Sequence, residues 1–380
     1  MEYRWITGID KFKDISAAWD DALIASGEDN PFLLSEFIIT WWKHYSQDLK
    51  LLVFVLYDRC KIIGGLPLCQ KKNGYLEYPG GITANYTEFL CLGKKQAIWE
   101  YFLESLSRLE AWRCLRLKRI RESRFNASYV NAIALGHKDI LLDANRSEYA
   151  YLINIPGNFP DYIRHLPKKL RYYIKRSERK FSKAGVVSLI SFKSENEIKQ
   201  LVETYISFSR SSFKERNKQS AFEDKNYCNF FRELISRMQK AGYLDANALS
   251  LDDRVIAVHF GYSLGNNLNY VFPAFDISFA DLNPGHLLIY KLIELGSKRK
   301  NKIFDFYTGY SFYKGQWCDR KEEVFSLEVR PNRFRGKVER ALARQIRSSA
   351  VINKSREFIK RHALLTPLAK KARRLMRNYA

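Results

Sequence analysis

The chain has 380 residues, 46% hydrophobic and 14% aromatic, a composition that excludes a disordered protein and predicts about two folded domains. Its six cysteines are scattered, with no Cys-x-x-Cys pair and no histidine at ligand spacing, so the expectation is a reduced, cytoplasmic protein without zinc or any other metal. The formal charge of +23 is uneven, and points to anionic partners: Arg330 to Ala380 holds sixteen Lys or Arg against Glu339 and Glu357, and Arg164 to Lys183 holds nine against Glu178.

The N-terminal MEYRWITGIDKFKD has acidic residues and no apolar core, so no secretory signal is expected there. The longest apolar run, Leu51 to Tyr57, is strand-sized and far short of the roughly 20 residues of a membrane span. Residues 1 to 48 read as helices, with Trp19, Leu23 and Ile24 on one face. Ser35 is placed to cap a second stripe of Phe37, Ile38, Trp41, Trp42 and Tyr45, read as core. LKLLVFVLYD, KIIGGLPLCQ and GYLEYPGG read as strands turning at Asp58-Arg59 and Asn73-Gly74. A helix from Ile98 to Ala111 and the strand CLRLKRI follow, then strands from Asp139 to Ile155.

Pro160 to Ala184 reads as one long basic helix ended by Gly185. Arg171, Lys175 and Arg179 recur at four-residue spacing on it, either as a clamp for an anionic acceptor, a sugar phosphate or a tRNA backbone, or as a solvated face. The strand VVSLISF and helices from Glu195 to Lys214 and Asp224 to Ala241 lead to a second hairpin. A strand from Leu268 to Phe275, a helix opening at Asn283-Pro284-Gly285 and a strand from Ile303 to Tyr307 close the pattern. Turn, strand, hairpin, strand, helix and strand thus occur twice, predicting an α/β (α+β) fold of two similar units. The boundaries expected are 1–155, 156–329 and a basic helical tail, 330–380.

Chemistry concentrates in the second copy. Asn283 as N-cap and Pro284 as first helical residue leave the backbone N–H groups of Gly285, His286 and Leu287 free to receive an anion. Pro273 has no N–H, so the preceding strand should lose pairing there. Backbone N–H groups freed around Phe272 and Ala274 would then polarise a carbonyl. Asp276 and Asp305 are base candidates at the ends of the flanking strands, and Asp305, between Phe304 and Phe306, would have a raised pKa if it pointed inward. His259, between Val258 and Phe260, either faces the cofactor or is a core histidine; His286 either binds phosphate or packs. Gly261-Tyr262-Ser263-Leu264-Gly265 matches G-x-S-x-G in letters, but a hairpin turn follows it where a hydrolase needs a helix.

PGHLLIYKLIELG followed by FDFYTGYSFYKGQW resembles the C-terminal signature of the CelD-like branch of the GCN5-related N-acetyltransferase (GNAT) superfamily, itself similar to Fem-type aminoacyl transferases. NPFLLSEFIITWWKHY, GGLPLCQ and LRYYIKRSERKFSKAG resemble further blocks of that family, in the same order, patchily from Asn30 to Val329. The resemblance implies tandem GNAT-like acyl-CoA N-acyltransferase domains. Acetyl-CoA or another acyl-CoA is the implied co-substrate, and an amino sugar or surface-polysaccharide precursor the implied amine acceptor. Tyr313-Lys314 resembles the aromatic-lysine pair of Fem-type enzymes, where the lysine is expected to stabilise developing negative charge. Where relatives carry an acidic pair after the glycine, this chain has Gly309-Tyr310-Ser311.

Two alternatives stay open: an aminoacyl-tRNA donor, with the basic segments as an RNA-binding face, and a non-catalytic protein that binds polyanion or membrane. Within the tail, Thr366 and Pro367 open a helix with Leu368, Ala372, Leu375 and Tyr379 on one side and Lys370, Lys371, Arg373, Arg374 and Arg377 on the other. Such a helix either lies on an anionic membrane surface, making the protein peripheral on the inner face, or packs on its own domain and leaves the charges solvated.

Overall fold

In a computed structural model, the structure describes residues 1–81, 83–136 and 139–332. The helix expected from Thr366, with residues 333–380 as a whole, lies outside the described residues.

The first set of elements is β1 (Glu2–Thr7), α1 (Ile9–Ala25), α2 (Ser35–Tyr45), β2 (Leu49–Asp58), β3 (Lys61–Lys71), β4 (Tyr75–Glu77), β5 (Leu90–Cys91), α3 (Lys95–Ser107) and β6 (Cys114–Arg121). Next come α4 (Glu122–Phe125), α5 (Ala127–Gly136), β7 (Ile140–Asn154), α6 (Phe159–His165) and α7 (Lys168–Ala184). The order of the first set then returns as β8 (Val187–Phe192), α8 (Glu195–Glu215), α9 (Lys225–Lys240), β9 (Leu244–Leu251), β10 (Arg254–Leu264), β11 (Asn267–Asn269), β12 (Phe272–Phe275), α10 (Pro284–Lys298) and β13 (Ile303–Thr308). The last two described elements are α11 (Phe312–Trp317) and β14 (Arg320–Pro331).

Sheet order makes the repeat visible in space. The strands run β1-β2-β3-β4-β6-β14-β7-β13-β11-β10-β9-β8, with β5 paired to β3 and β12 to β10. Read inward from either edge, the two halves have the same order. The strand that follows each half in the chain is exchanged: β7 lies beside β13, and β14 lies beside β6. The paired β7 and β14 join the halves at the centre. In both halves one pair is parallel, β4 with β6 and β11 with β13.

Several local expectations change. Glu2–Thr7, read as helical, is an edge strand on β2, where Trp5 packs on Phe54 at 5.7 Å between ring centroids. Ser35 is inside α2 and gives its hydroxyl to Asp20 instead of capping. The basic helix is broken between α6 and α7, because the residue before Pro167 is driven to extended geometry, with Leu166 at ψ 149°. Ser263 lies on β10 opposite Leu268 of β11, in a hairpin, so G-x-S-x-G forms no nucleophile elbow.

Apolar stripes of α1, α2 and α3 bury Phe12, Trp19, Phe37 and Phe102 against β2 and β3, while α7 and α10 close over β13 and α8 and α9 over β10. A buried charge network fills the first half and meets the second through Asn267. Arg121 makes paired bonds to Glu88 and Asp29, the shortest to each being 2.7 Å, and lies 4.4 Å over the Tyr86 ring. Arg124 reaches Glu28 and Asp29, each at 2.9 Å, and Asn267 of β11 donates to Asp29. Burial pushes Glu28 up to about 7. Burial would also raise Asp29, but the two guanidiniums outweigh it and hold that carboxyl below its usual range.

Candidate active site

The site begins at a fault in one strand. β11 pairs β10 with Leu268 opposite Ser263, whereas β12 pairs it with Phe272 opposite Phe260, so one extra residue lies between them. Gly261 permits this bulge, since a Cβ there would come within 2.2 Å of the Asn269 carbonyl. Asn269 also holds the fault by donating its amide to the Tyr262 carbonyl at 3.1 Å. Tyr270 N–H makes a last bond to the Asp305 carbonyl of β13 at 2.9 Å, after which β12 follows β10 and parts from β13. Pairing with β13 is therefore lost at Tyr270-Val271 rather than at Pro273, which stays opposite His259.

The phase of that ladder decides which amides are free. Asp276 N–H donates to the Ile256 carbonyl at 2.9 Å, and bonded positions alternate in an antiparallel pair, so Ala274 and Phe272 also turn their N–H groups to β10. They are not the free donors expected. Phe275 faces the other way, and Pro273 offers no N–H. Ala274 still lines the gap, while the Phe272 ring packs on Phe231 at 5.2 Å.

The gap is a cavity of about 380 Å³. One wall is Pro273, Ala274 and Phe275; the floor includes Tyr270 and Tyr313; the end is the start of α10 at Asn283, Pro284, Gly285 and His286. Asn283 precedes the helix in a left-handed conformation, φ 56°, and makes no side-chain cap. The Leu287 N–H is the first to find a helical partner, the Asn283 carbonyl at 3.4 Å, and the Leu287 side chain is in the core. Only Gly285 and His286 therefore present free helix-start N–H groups, because the fourth N–H of a helix bonds back to the cap residue. An added Cβ on Gly285 would meet nothing nearer than the Phe275 ring at 3.8 Å, so the space over the helix end is open to a phosphate. His286 accepts from the Trp317 indole N–H at 3.0 Å through Nδ1, and burial lowers its pKa. It is a neutral packed ring at the rim rather than a cationic phosphate ligand.

The opposite wall is α8, through Ser209, Ser212, Phe213 and Arg216. These were not expected, although their three- and four-residue spacing marks one helix face in the sequence. Arg216 is the cavity's cation; its Nε and Nη2 are held on the Ser212 carbonyl and hydroxyl, each at 2.8 Å. The expected clamp is elsewhere. Arg171 donates to the Arg164 carbonyl at 2.8 Å, Lys175 and Arg179 are exposed, and none of the three lines the cavity.

The base candidates separate sharply. Asp276 caps the turn after β12 by accepting from Ser278 N–H at 3.0 Å and pairs with Arg254 at 2.6 Å. Burial would raise its pKa, but these partners outweigh it, which leaves a poor base. His259 is fully buried and stacked on Tyr270 at 5.1 Å, and burial pulls it down to about 4, so it is a neutral core ring. Asp305 is raised to about 7 by burial, with Arg121 opposing. It does not share a face with Phe304 and Phe306, since neighbours on a strand alternate. It points into the first half, where Tyr86 donates to both its oxygens at 3.0 Å and Tyr307 N–H donates at 2.6 Å. At 1% exposure it is an anchor between the halves, out of reach of a substrate in the cavity.

Lys314 is different. In α11 its ammonium donates to the Thr308 carbonyl at 2.8 Å, and burial lowers its pKa to about 8 although Asp305 and Glu148 oppose the shift. Tyr313 beside it reaches Phe306 at 5.9 Å and faces the cavity. Among the described residues there is no cluster of His, Cys, Asp and Glu that could hold a metal, and no helix long and apolar enough to cross a membrane.

Residues 168–315 match the family described as an acetyltransferase (GNAT) domain, a stretch from the start of α7 into α11. The structure of FemX superposes with a TM-score of 0.63 at 11% identity, over 86% of this chain and 97% of that one. The C-terminal domain (DUF2156) named for a lysylphosphatidylglycerol synthetase of Agrobacterium fabrum gives 0.52 at 10% identity, over 83% and 91%. L-PGS from Bacillus licheniformis gives 0.51 at 9%, over 84% and 92%. At such identities the likeness is one of fold, a mixed α/β fold of GNAT-like units. No curated protein matches the chain in sequence.

Proposed function

We propose that the chain transfers an acyl group from acyl-CoA to an amine by direct attack in a ternary complex. The observation that supports this reading is the cavity between β12 and α10, with two free helix-start N–H groups at one end and Tyr313 in its floor, next in the chain to Lys314, whose ammonium is held on the Thr308 carbonyl. The pyrophosphate of the donor lies on Gly285 and His286 and the pantetheine arm occupies the gap beside Pro273. The neutral amine nitrogen attacks the thioester carbonyl carbon, the carbonyl oxygen takes up negative charge, and the carbon–sulfur bond breaks as the oxyanion collapses. The amine gives up a proton and the departing thiolate takes one, yielding amide and free thiol. Lys314, as the ammonium, faces the developing oxyanion and stabilises it. An amino sugar or surface-polysaccharide precursor as acceptor rests on the family resemblance.

A second reading, an aminoacyl-tRNA donor, is favoured by one feature: the outward face of α7 carries Lys168, Lys175, Arg176 and Arg179, and Lys180 of the same helix bonds the Asp281 carbonyl at 2.9 Å just before α10. Ligand stabilisation separates the two. Coenzyme A at a hundred times its Kd adds about 2.7 kcal/mol under the first reading. Stabilisation by deacylated tRNA without any by coenzyme A would replace the first reading with the second.

A further inference from the structure

The strand fault that opens the gap is held by a chain of buried hydrogen bonds. Asn269, the last residue of β11, donates its amide to the Tyr262 carbonyl at 3.1 Å and accepts the Tyr307 hydroxyl at 2.9 Å. A carbonyl only accepts, so the amide nitrogen must face Tyr262 and the amide oxygen Tyr307, and the two bonds together fix one orientation of the Asn269 side chain.

Tyr307 is itself at an irregularity. β13 pairs β7 with Asp305 opposite Leu152 and Thr308 opposite Ala150, so Phe306 and Tyr307 together stand where β7 has Tyr151 alone. At this bulge Tyr307 takes the left-handed conformation, φ 59°, which glycine adopts without strain and other residues only when their surroundings enforce it. The surroundings that enforce it belong to the first half. Tyr86, in the loop between β4 and β5, donates to both carboxylate oxygens of Asp305 at 3.0 Å, and one of those oxygens accepts the Tyr307 N–H at 2.6 Å. The Tyr307 ring lies 4.9 Å from that of Tyr86 and 5.7 Å from that of Phe32. Tyr86, Asn269, Asp305 and Tyr307 are all buried, so water replaces none of these bonds when one is lost. The same bulge delivers Thr308, next in the chain, whose carbonyl holds the Lys314 ammonium at 2.8 Å.

We propose that Tyr307 is the positioning residue of the gap: its hydroxyl sets the Asn269 amide, the amide keeps the fault between β11 and β12 open for the donor, and Tyr86 of the first half sets Tyr307. The first half therefore takes part in donor binding without touching the donor. This rests on the acyl-CoA reading of the gap, and the measurements separate the two.

Tyr307→Phe keeps ring and backbone and removes only the hydroxyl, so that the Asn269 oxygen loses its donor and the gap is competent for only part of the time. Calorimetry on the full chain is expected to show coenzyme A affinity lowered roughly fivefold in Tyr307→Phe, the scale of one neutral hydrogen bond, and lowered likewise in Tyr86→Phe. Added to Asn269→Ala, Tyr307→Phe is expected to cause no further loss, since both remove the same bond. Hydrogen exchange of the Tyr270 N–H, the last bond before the strand parts, is expected to quicken about fivefold or more in Tyr307→Phe while the amides of β2 exchange as in wild type. Unchanged coenzyme A affinity in Tyr307→Phe, losses that add in the double variant, or an exchange rise shared equally by β2 overturns the proposal. If wild type fails to bind coenzyme A while the local exchange response persists, the donor reading falls and Tyr307 still holds the fault.

Discussion

Replacing Lys314 by methionine should make the protein more stable and less active. A lysine held at about 8 instead of 10.5 carries a folding penalty of about 3 kcal/mol at neutral pH, because the folded state must keep its ammonium partly out of water. Below pH 8 both folded and unfolded chains are protonated, and the penalty is constant. Between 8 and 10.5 the unfolded chain keeps its proton while the folded chain loses it, so wild-type stability rises with pH across that window and the penalty is gone above it. Methionine fills a similar volume without charge but leaves the Thr308 carbonyl without its donor, a loss of about 1 kcal/mol. The expected result at pH 7 is a net gain of about 2 kcal/mol in urea unfolding, shrinking as pH rises toward 10. The same substitution should lower kcat by roughly a hundredfold or more, the scale seen when an oxyanion donor is removed. A variant that is equally or less stable at pH 7 would show that the ammonium is not desolvated, and would remove the physical basis for giving it this role.

Other consequences can be checked independently. Turnover of wild type should fall above about pH 8 as Lys314 loses its proton, and Lys314→Arg should move that limb upward; an unmoved limb would assign it to another group. Gly285→Asp should weaken coenzyme A binding at least tenfold while Gly285→Ala has a smaller effect, both staying folded because only Phe275 is near the added Cβ; unchanged affinity in the folded Asp variant would remove the phosphate site. Because burial raises Asp305, the folded chain keeps a proton that the unfolded chain loses between pH 3.8 and about 7, so stability falls as pH rises through that window. Asp305→Asn should remove its share of this fall and leave those of Glu28, Asp20 and Asp319, and a large kcat loss with a shifted pH profile in that variant would instead make Asp305 the base. Arg121→Met should cost about 3–5 kcal/mol in urea unfolding, since it strands the buried carboxylates of Glu88 and Asp29; a neutral outcome would mean that the halves do not depend on this network.

Whatever depends on near neighbours in the chain could be read from the residues alone. The start of α10 follows from Pro284 and its apolar stripe, the β10–β11 hairpin from its turn residues, and the repeat from the order of periods. These are set by contacts a few residues apart, which a sequence displays directly. What it could not display was any pairing across long separations. The strand parts at Tyr270 because Gly261, on the neighbouring strand, leaves room for a bulge. Phe272 and Ala274 lose their expected role because a bond from Asp276 to Ile256 sets the ladder phase. Asp305 is an anchor because alternation turns it toward Tyr86, 219 positions away in the chain. The exchange of β7 and β14 between halves and the use of α8 as a cavity wall are likewise settled by packing. Local propensity fixes which elements form, whereas the face each side chain shows is decided only when distant strands meet in register.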